Sequence, residues 1–222
     1  MGTTAQELPW LDGLTIGQVL AETARKHPKR EALVFHQSVV RMNYAEFAGA
    51  VRDVAKGLLA LGIQPGEHVG IWATNLPEWV LLQFAAATIG VVLVTINPAY
   101  RPLELRYTLE QSDVAALFLT DEFKSSNYYS IFGEACPEIA QAHHGKISCA
   151  SFPKLRYAIA IERNGNRCRR SHKEDDSPDL RLPQRCAVQG NGRYERRGQF
   201  CLHVVCKIAA GNGDCRAGIT MA

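Results

Sequence analysis

The stretch AAATIGVVLVTINPAYRPLE, Ala85–Glu104, decides how this chain folds. A helical run stops at Gly90, an apolar strand occupies Val91–Ile96, and the chain then turns through Asn97, Pro98 and Pro102 before polar residues return. Helix, buried strand and helix joined by short connections form the repeating unit of a mainly parallel sheet covered by helices.

Upstream, Asn75 and Pro77 open the preceding helix, Pro77 standing in the first turn where its missing N–H costs nothing. The sequence EWVLLQFAAATIG is apolar nearly all round, so it has to be buried, on a sheet. Before it, IQPGEHVGIWA reads as a turn at Pro65–Gly66 followed by a strand. Asn43 and Glu46 make a capping-box pair, Phe47, Val51, Val54, Ala55, Leu58 and Leu59 recur at helical spacing, and Gly62 supplies the left-handed stop. In TIGQVLAETARKHP, Thr15 caps a helix whose Ile16, Val19, Leu20 and Thr23 share a face, with Pro28 beyond its end. EALVF and VVRMN read as a hairpin turning at His36 to Ser38.

Downstream, PLELRYTLEQSD reads as an amphipathic helix with Leu103, Tyr107 and Leu109 or Glu110 on alternate turns, and VAALFLT as the next strand. The pattern weakens after Asp121. A helix in EFKSSNYYSIFGEA and a strand over Leu155–Ile161 complete it.

Composition breaks near Ile161. Residues 1–161 hold 13 Lys+Arg and 15 Asp+Glu, whereas residues 162–222 hold 12 and 7, so the net charge passes from −2 to +5. Five of seven cysteines lie after the break, and leucine falls from 18 before it to 3 after. Whole-chain averages therefore mix two populations, and the organisation expected is a partial domain over 14–161 and an irregular Arg/Cys-rich tail over 162–222.

The segments MNYAEF (42–47), GLLALGIQPGEHVGIWATNLPEWV (57–80) and AAATIGVVLVTINPAYRPLELRYTLEQSDVAALF (85–118), in this order and spacing, resemble the N-terminal portion of the AMP-forming acyl-CoA synthetases. These belong to the adenylate-forming superfamily, and the likeness is greatest to the medium- and long-chain fatty acid enzymes. It covers about Leu14 to Ile161, roughly the first quarter of a family member. The resemblance implies an α/β fold, here an incomplete N-terminal part of the adenylate-forming fold. It also implies a two-step reaction: a carboxylate and ATP give an acyl-adenylate, and coenzyme A then displaces AMP. ATP, magnesium and coenzyme A are the family's cofactors and substrates. Its Gly- and Ser/Thr-rich phosphate loop ending in Pro-Lys-Gly, its ribose-binding aspartate and its C-terminal domain have no counterpart in this sequence. No residue is carried over as catalytic, cofactor-binding or metal-binding, and the chain is expected to be inactive. Asn75, Glu78 and Trp79, polar or aromatic at a strand-to-helix turn, read as a cap, a first-turn acid and a buried aromatic rather than as ligand-binding groups.

Three readings of the tail compete. Cys168, His172, Cys186, Cys201 and Cys206 suggest a metal site, but no C-x-x-C pair occurs. Arg163, Arg167, Arg169, Arg170, Arg193, Arg196 and Arg197 suggest a nucleic-acid arm, but acidic residues intervene and only Tyr194 and Phe200 offer stacking. A shifted reading frame after Ile161 accounts for the composition change and the end of the resemblance together. Only FCLHVVCKIAA reads as a buried element. On this reading residues 77–96 would lack cover and expose apolar surface and strand edges, and the polypeptide would be poorly soluble. The expected partners are small molecules, with no nucleic acid and no membrane span, and the expected compartment is the cytoplasm. The alternative is a non-catalytic interaction module with a basic, Cys-containing tail.

Overall fold

The computed structural model describes residues 13–36, 40–123, 126–141, 147–161, 201–205 and 216–220. Helix α1 (Ile16–Lys26) starts at a complete capping box, Thr15 accepting from the Gln18 amide and Gln18 reaching back. Strands β1 (Glu31–Phe35) and β2 (Val40–Asn43) form the antiparallel hairpin, and Asn43 then caps α2 (Tyr44–Ala60) through reciprocal 2.9 Å bonds with Glu46. The turn that the sequence places at His36 to Ser38 lies mostly outside the described residues.

Strands β3 (His68–Trp72), β4 (Val92–Thr95), β5 (Val114–Leu119) and β8 (Tyr157–Ile161) run parallel, connected through α3 (Pro77–Thr88), α4 (Pro102–Ser112) and α5 (Tyr128–Ala135). Between β5 and α5 lies a small antiparallel ladder, β6 (Glu122–Phe123) with β7 (Ser126–Asn127). In space the parallel strands stand in the order β8-β5-β3-β4. The step from β3 to β4 goes one way, and the step from β4 to β5 returns across β3. Right-handed crossovers in opposite directions must put their helices on opposite faces. Accordingly α3, with α1 and α2, packs on one face, and α4 and α5 pack on the other.

Strand periodicity divides the side chains between these layers. Val69, Ile71, Phe118, Ile159 and Ile161 join the α1–α3 core, while Trp72, Leu117, Leu119 and Ala158 join the α4–α5 core. Every residue of β5 is buried. Helix α3 is covered by α1 and α2, so the apolar surface expected to lie open there is enclosed, and Leu81, Leu82, Ala85 and Ala86 are fully buried. Strand β4 remains an edge of the sheet, as the sequence reading of an uncovered strand requires.

Two expectations about helices are corrected. Asn75 does not cap α3: the N-cap is Leu76, extended at φ −132° and ψ 153°, with no side-chain cap. Pro77 forces its predecessor out of the helical region, which moves the helix boundary one residue past Asn75. In α4 the buried pair is Leu105 and Leu109, whereas Leu103 and Tyr107 are 81% and 65% exposed. Two residues along a helix turn about 200°, so Leu103 and Tyr107 stand opposite Leu105, and of the expected face Leu109 alone is buried.

The tail is not wholly irregular. FCLHVVCKIAA contains β9 (Cys201–Val205), which pairs antiparallel with β8, and β10 (Arg216–Thr220) pairs antiparallel with β9. An extended segment finds unpaired backbone donors and acceptors along the free edge of β8, which is reason enough for strand formation there. The cysteines and His172 of the suggested metal site lie outside the described residues, apart from the backbone of Cys201, as do all seven arginines of the suggested arm.

The start of the sheet is tied by Arg156, immediately before β8. Its guanidinium donates to both oxygens of Glu67 at 2.7 and 2.8 Å and to the Gly62 carbonyl at 3.3 Å. The same guanidinium holds the Glu67 carboxyl below the usual carboxylate range, against a smaller opposing effect of burial. The assignment of the α4 face is checked by chemical denaturation: Leu105→Ala should lose about 2–5 kcal/mol, and Leu103→Ala should stay within about 0.5 kcal/mol of the parent.

Candidate functional site

In an open doubly wound sheet, ligands bind beyond the carboxyl ends of the strands, where the direction of strand addition reverses. Here that switch point lies between β3 and β5. Three segments surround it: Ala73–Leu76 after β3, Ile96–Arg101 after β4, and Thr120–Asn127 after β5, of which Lys124 and Ser125 are outside the described residues.

One aromatic pair organises these segments. Trp72, the last residue of β3, stacks on Tyr128, the first of α5, with ring centroids 3.9 Å apart and planes 7° from parallel. Each ring also carries a polar handle. The indole Nε1–H of Trp72 donates to the Asn97 carbonyl at 3.0 Å, and the Tyr128 hydroxyl donates to the Pro98 carbonyl at 2.8 Å. The loop after β4 is thereby held from two other elements. It is also internally closed, since the Asn97 side chain accepts from the Ala99 amide at 2.9 Å and its carbonyl accepts from the Tyr100 amide at 3.1 Å. Arg101 then reaches Ser126 across the site at 3.3 Å. Both rings are fully buried, and burial pushes the Tyr128 phenol up to about 12.

The residues present do not make a phosphate cradle. The α3 N-terminus points at the switch point, yet its cap is the apolar Leu76, Pro77 removes one amide donor, and Glu78 places a carboxylate in the first turn. A phosphate needs donors and positive charge at such a terminus. Thr120, the polar residue at the end of β5, is buried at 3% exposure. Trp79 is half-buried against the α1–α3 core, in keeping with its reading as a packing residue. A shallow hollow on the outer side of α4 is lined by Tyr100, Leu103, Glu104, Tyr107 and Thr108, with no cationic side chain among them. Neither the α3 N-terminus nor this hollow offers a donor set that fits a phosphate, and the guanidinium of Arg101 at the site is turned to Ser126.

A second cluster lies behind the loops. Cys136, at the end of α5, and Cys149 are buried free thiols, with the Glu138 carboxylate beside them. Burial, then contact with Cys149 and the charge of Glu138, raise the Cys136 thiol far above its ordinary value, so it is not a nucleophile at neutral pH. The sequence places both cysteines within 13 residues of each other but gives no means of bringing them together, because they flank the stretch with the weakest periodicity. The Trp72–Tyr128 pair was likewise hidden, since neither residue has a partner at strand or helix spacing.

A parallel sheet wound on both faces, with its loops gathered at the carboxyl ends, is the N-terminal architecture of adenylate-forming enzymes. The sequence profile described as "AMP-binding enzyme" matches residues 20–178, and the chain belongs to that family. It is 43% identical over 147 residues to YngI of Bacillus subtilis (strain 168), a protein named provisionally as an acyl-CoA synthetase, covering 66% of this chain and 27% of that one. It is 38% identical over 152 residues to the mitochondrial medium-chain acyl-CoA ligase ACSF2 of Homo sapiens, covering 68% and 25%. The chain thus spans about a quarter of the length of these relatives. Among solved structures, a Mycobacterium tuberculosis fatty acyl CoA synthetase superposes with a TM-score of 0.52 at 26% identity, over 66% of this chain and 26% of that one. Acetoacetyl-CoA synthetase from Streptomyces lividans shares the fold, with a TM-score of 0.54 at 23% identity over 67% and 22%. Among the described residues no helix is long and apolar enough to cross a membrane.

The stack can be tested through its hydroxyl. Tyr128→Phe keeps the ring and removes the bond to Pro98, and should cost about 1 kcal/mol in urea denaturation at neutral pH. In the parent the unfolded phenol ionises near pH 10 while the folded one stays protonated to about 12, so stability should fall across that window. Tyr128→Phe should remove this part of the alkaline slope, as read by ultraviolet titration of the phenols alongside the melts.

Proposed function

We propose that this chain is the scaffold-forming N-terminal part of an ATP-dependent acyl-CoA synthetase for medium- or long-chain fatty acids, and that the chain alone catalyses neither half-reaction. The match to the AMP-binding enzymes over residues 20–178 carries the reading. The name of the human relative, a medium-chain acyl-CoA ligase, supports the substrate class.

In that chemistry a fatty acid carboxylate oxygen attacks the α-phosphorus of ATP and pyrophosphate leaves. The thiolate of coenzyme A then attacks the acyl carbon and AMP leaves. Negative charge grows on the phosphate oxygens in the first step, and magnesium would supply charge there when bound. The present residues contribute position. Trp72 and Tyr128 fix the loop after β4, and β3 and β5 set the spacing of the switch point. Glu78 in the first turn of α3 opposes phosphate binding, which supports a scaffold role over a nucleotide-holding one.

We also propose that residues 162–222 derive largely from a shifted reading frame, the family match running only to residue 178. The rise in net charge and the fall in leucine past Ile161 support this. The compartment proposed is the reducing cytoplasm, which suits two unpaired buried thiols.

ATP–pyrophosphate exchange with saturated acids from octanoate to palmitate is the direct assay, because it reads the first step alone. The purified chain should give no exchange above a protein-free blank. Exchange from this exact sequence would overturn the inactive scaffold. Translating the gene past codon 161 in all three frames should recover a Ser/Thr/Gly-rich segment ending in Pro-Lys-Gly, and its absence from every frame would overturn the frame-shift reading.

A further inference from the structure

We propose that Cys136, Glu138 and Cys149 form a binding site for one thiophilic divalent cation, zinc foremost. Their candidate ligand atoms, two sulfurs and a carboxylate oxygen, all lie within 4.8 Å of one another. Zinc–sulfur bonds of about 2.3 Å and zinc–oxygen bonds of about 2.1 Å in a tetrahedron place such ligands roughly 3.5–3.8 Å apart, so only a small closing motion is needed. The fourth position would belong to water.

Each ligand stands on backbone already fixed by hydrogen bonds. The Cys136 amide donates to Phe132 O at 2.8 Å, and its carbonyl accepts from the Ile139 amide at 3.1 Å. That second bond starts the 3-10 turn Pro137–Gln141, which folds Glu138 back toward the thiols. The Cys149 carbonyl accepts from the Phe152 amide at 3.2 Å, in a turn that leads directly into β8. A cation would therefore tie the end of α5 to the approach of β8.

The donor set selects the metal. Calcium and magnesium take several oxygen ligands and have one here, whereas thiolates suit zinc. Ile139, Ile147 and Phe152 belong to the same buried apolar cluster as both cysteines, while Glu138 is only half-buried. A disulfide would account for the two sulfurs and leave the carboxylate beside them unexplained. On binding, each thiol loses its proton to solvent. Two metal–sulfur bonds and one metal–oxygen bond form, and no electron is transferred.

The test uses the full chain with Cys168, Cys186, Cys201, Cys206 and Cys215 changed to Ser, so that only Cys136 and Cys149 can supply sulfur. Titration with cobalt should give one ion per chain, with thiolate-to-cobalt charge-transfer bands and the absorption of a tetrahedral ion, and zinc should displace it. Cys136→Ser and Cys149→Ser should each abolish the charge-transfer bands, and Glu138→Gln should weaken binding by about tenfold or more, as loss of a ligand costs at least what loss of a supporting contact does. Should a serine variant fail to fold, the unsubstituted pair provides the second readout: zinc should raise the melting temperature of the chain that keeps Cys136 and Cys149, and a chelator should reverse the rise. Cobalt binding without thiolate bands, binding unchanged in the double serine variant, or a melting temperature indifferent to zinc would each overturn the site.

Discussion

All six residues of β5, Val114 to Leu119, are buried, and a strand without a solvent side has to be covered twice. That requirement organises most of the molecule. It places helices on both faces, and with right-handed crossovers it obliges the chain to reverse its direction of strand addition between β4 and β5. The reversal creates the crevice at the carboxyl ends. At the other end of the sheet, Arg156 and Glu67 hold the entries of β8 and β3 through a paired contact that crosses β5. Because these groups are only partly buried, the pair adds alignment more than energy.

Much of this was legible because local signals agreed with one another. Asn43 and Glu46 announced α2 through a motif whose both halves form, and Gly62 takes the left-handed conformation at φ 78° just past the helix end. The alternating order of apolar strand and helix was enough to give the layered, mainly parallel sheet. Errors arose where two signals competed. In α4 four apolar residues, Leu103, Leu105, Tyr107 and Leu109, offer two opposite stripes, and the sequence does not say which one meets the sheet. At Asn75 the capping preference of asparagine lost to the steric demand of Pro77.

The loops were the least legible part, for a physical reason. Their contacts are long-range: Trp72 to Asn97, Tyr128 to Pro98, Arg101 to Ser126. None follows a helix or strand period, so periodicity cannot find them. The same holds for the Cys136, Glu138 and Cys149 cluster, which exists because α5 ends where the segment before β8 turns. The readings of the nucleotide and acyl sites came from likeness to a family, and the first turn of α3 itself offers an apolar cap, a proline and a carboxylate rather than donors for a phosphate.

The antiparallel strand β9 alters what the sheet can become. Growth of a parallel array requires an open row of donors and acceptors along β8, and Ile159 to Ile161 are already matched to Val204, His203 and Leu202. With β9 on β8 and β10 on β9, the open border passes outward to β10, and a further strand can add there without disturbing β8. The two strands thus relocate the adhesive border rather than remove it, while a strand that would pair directly with β8 has to compete with β9 for the same backbone groups.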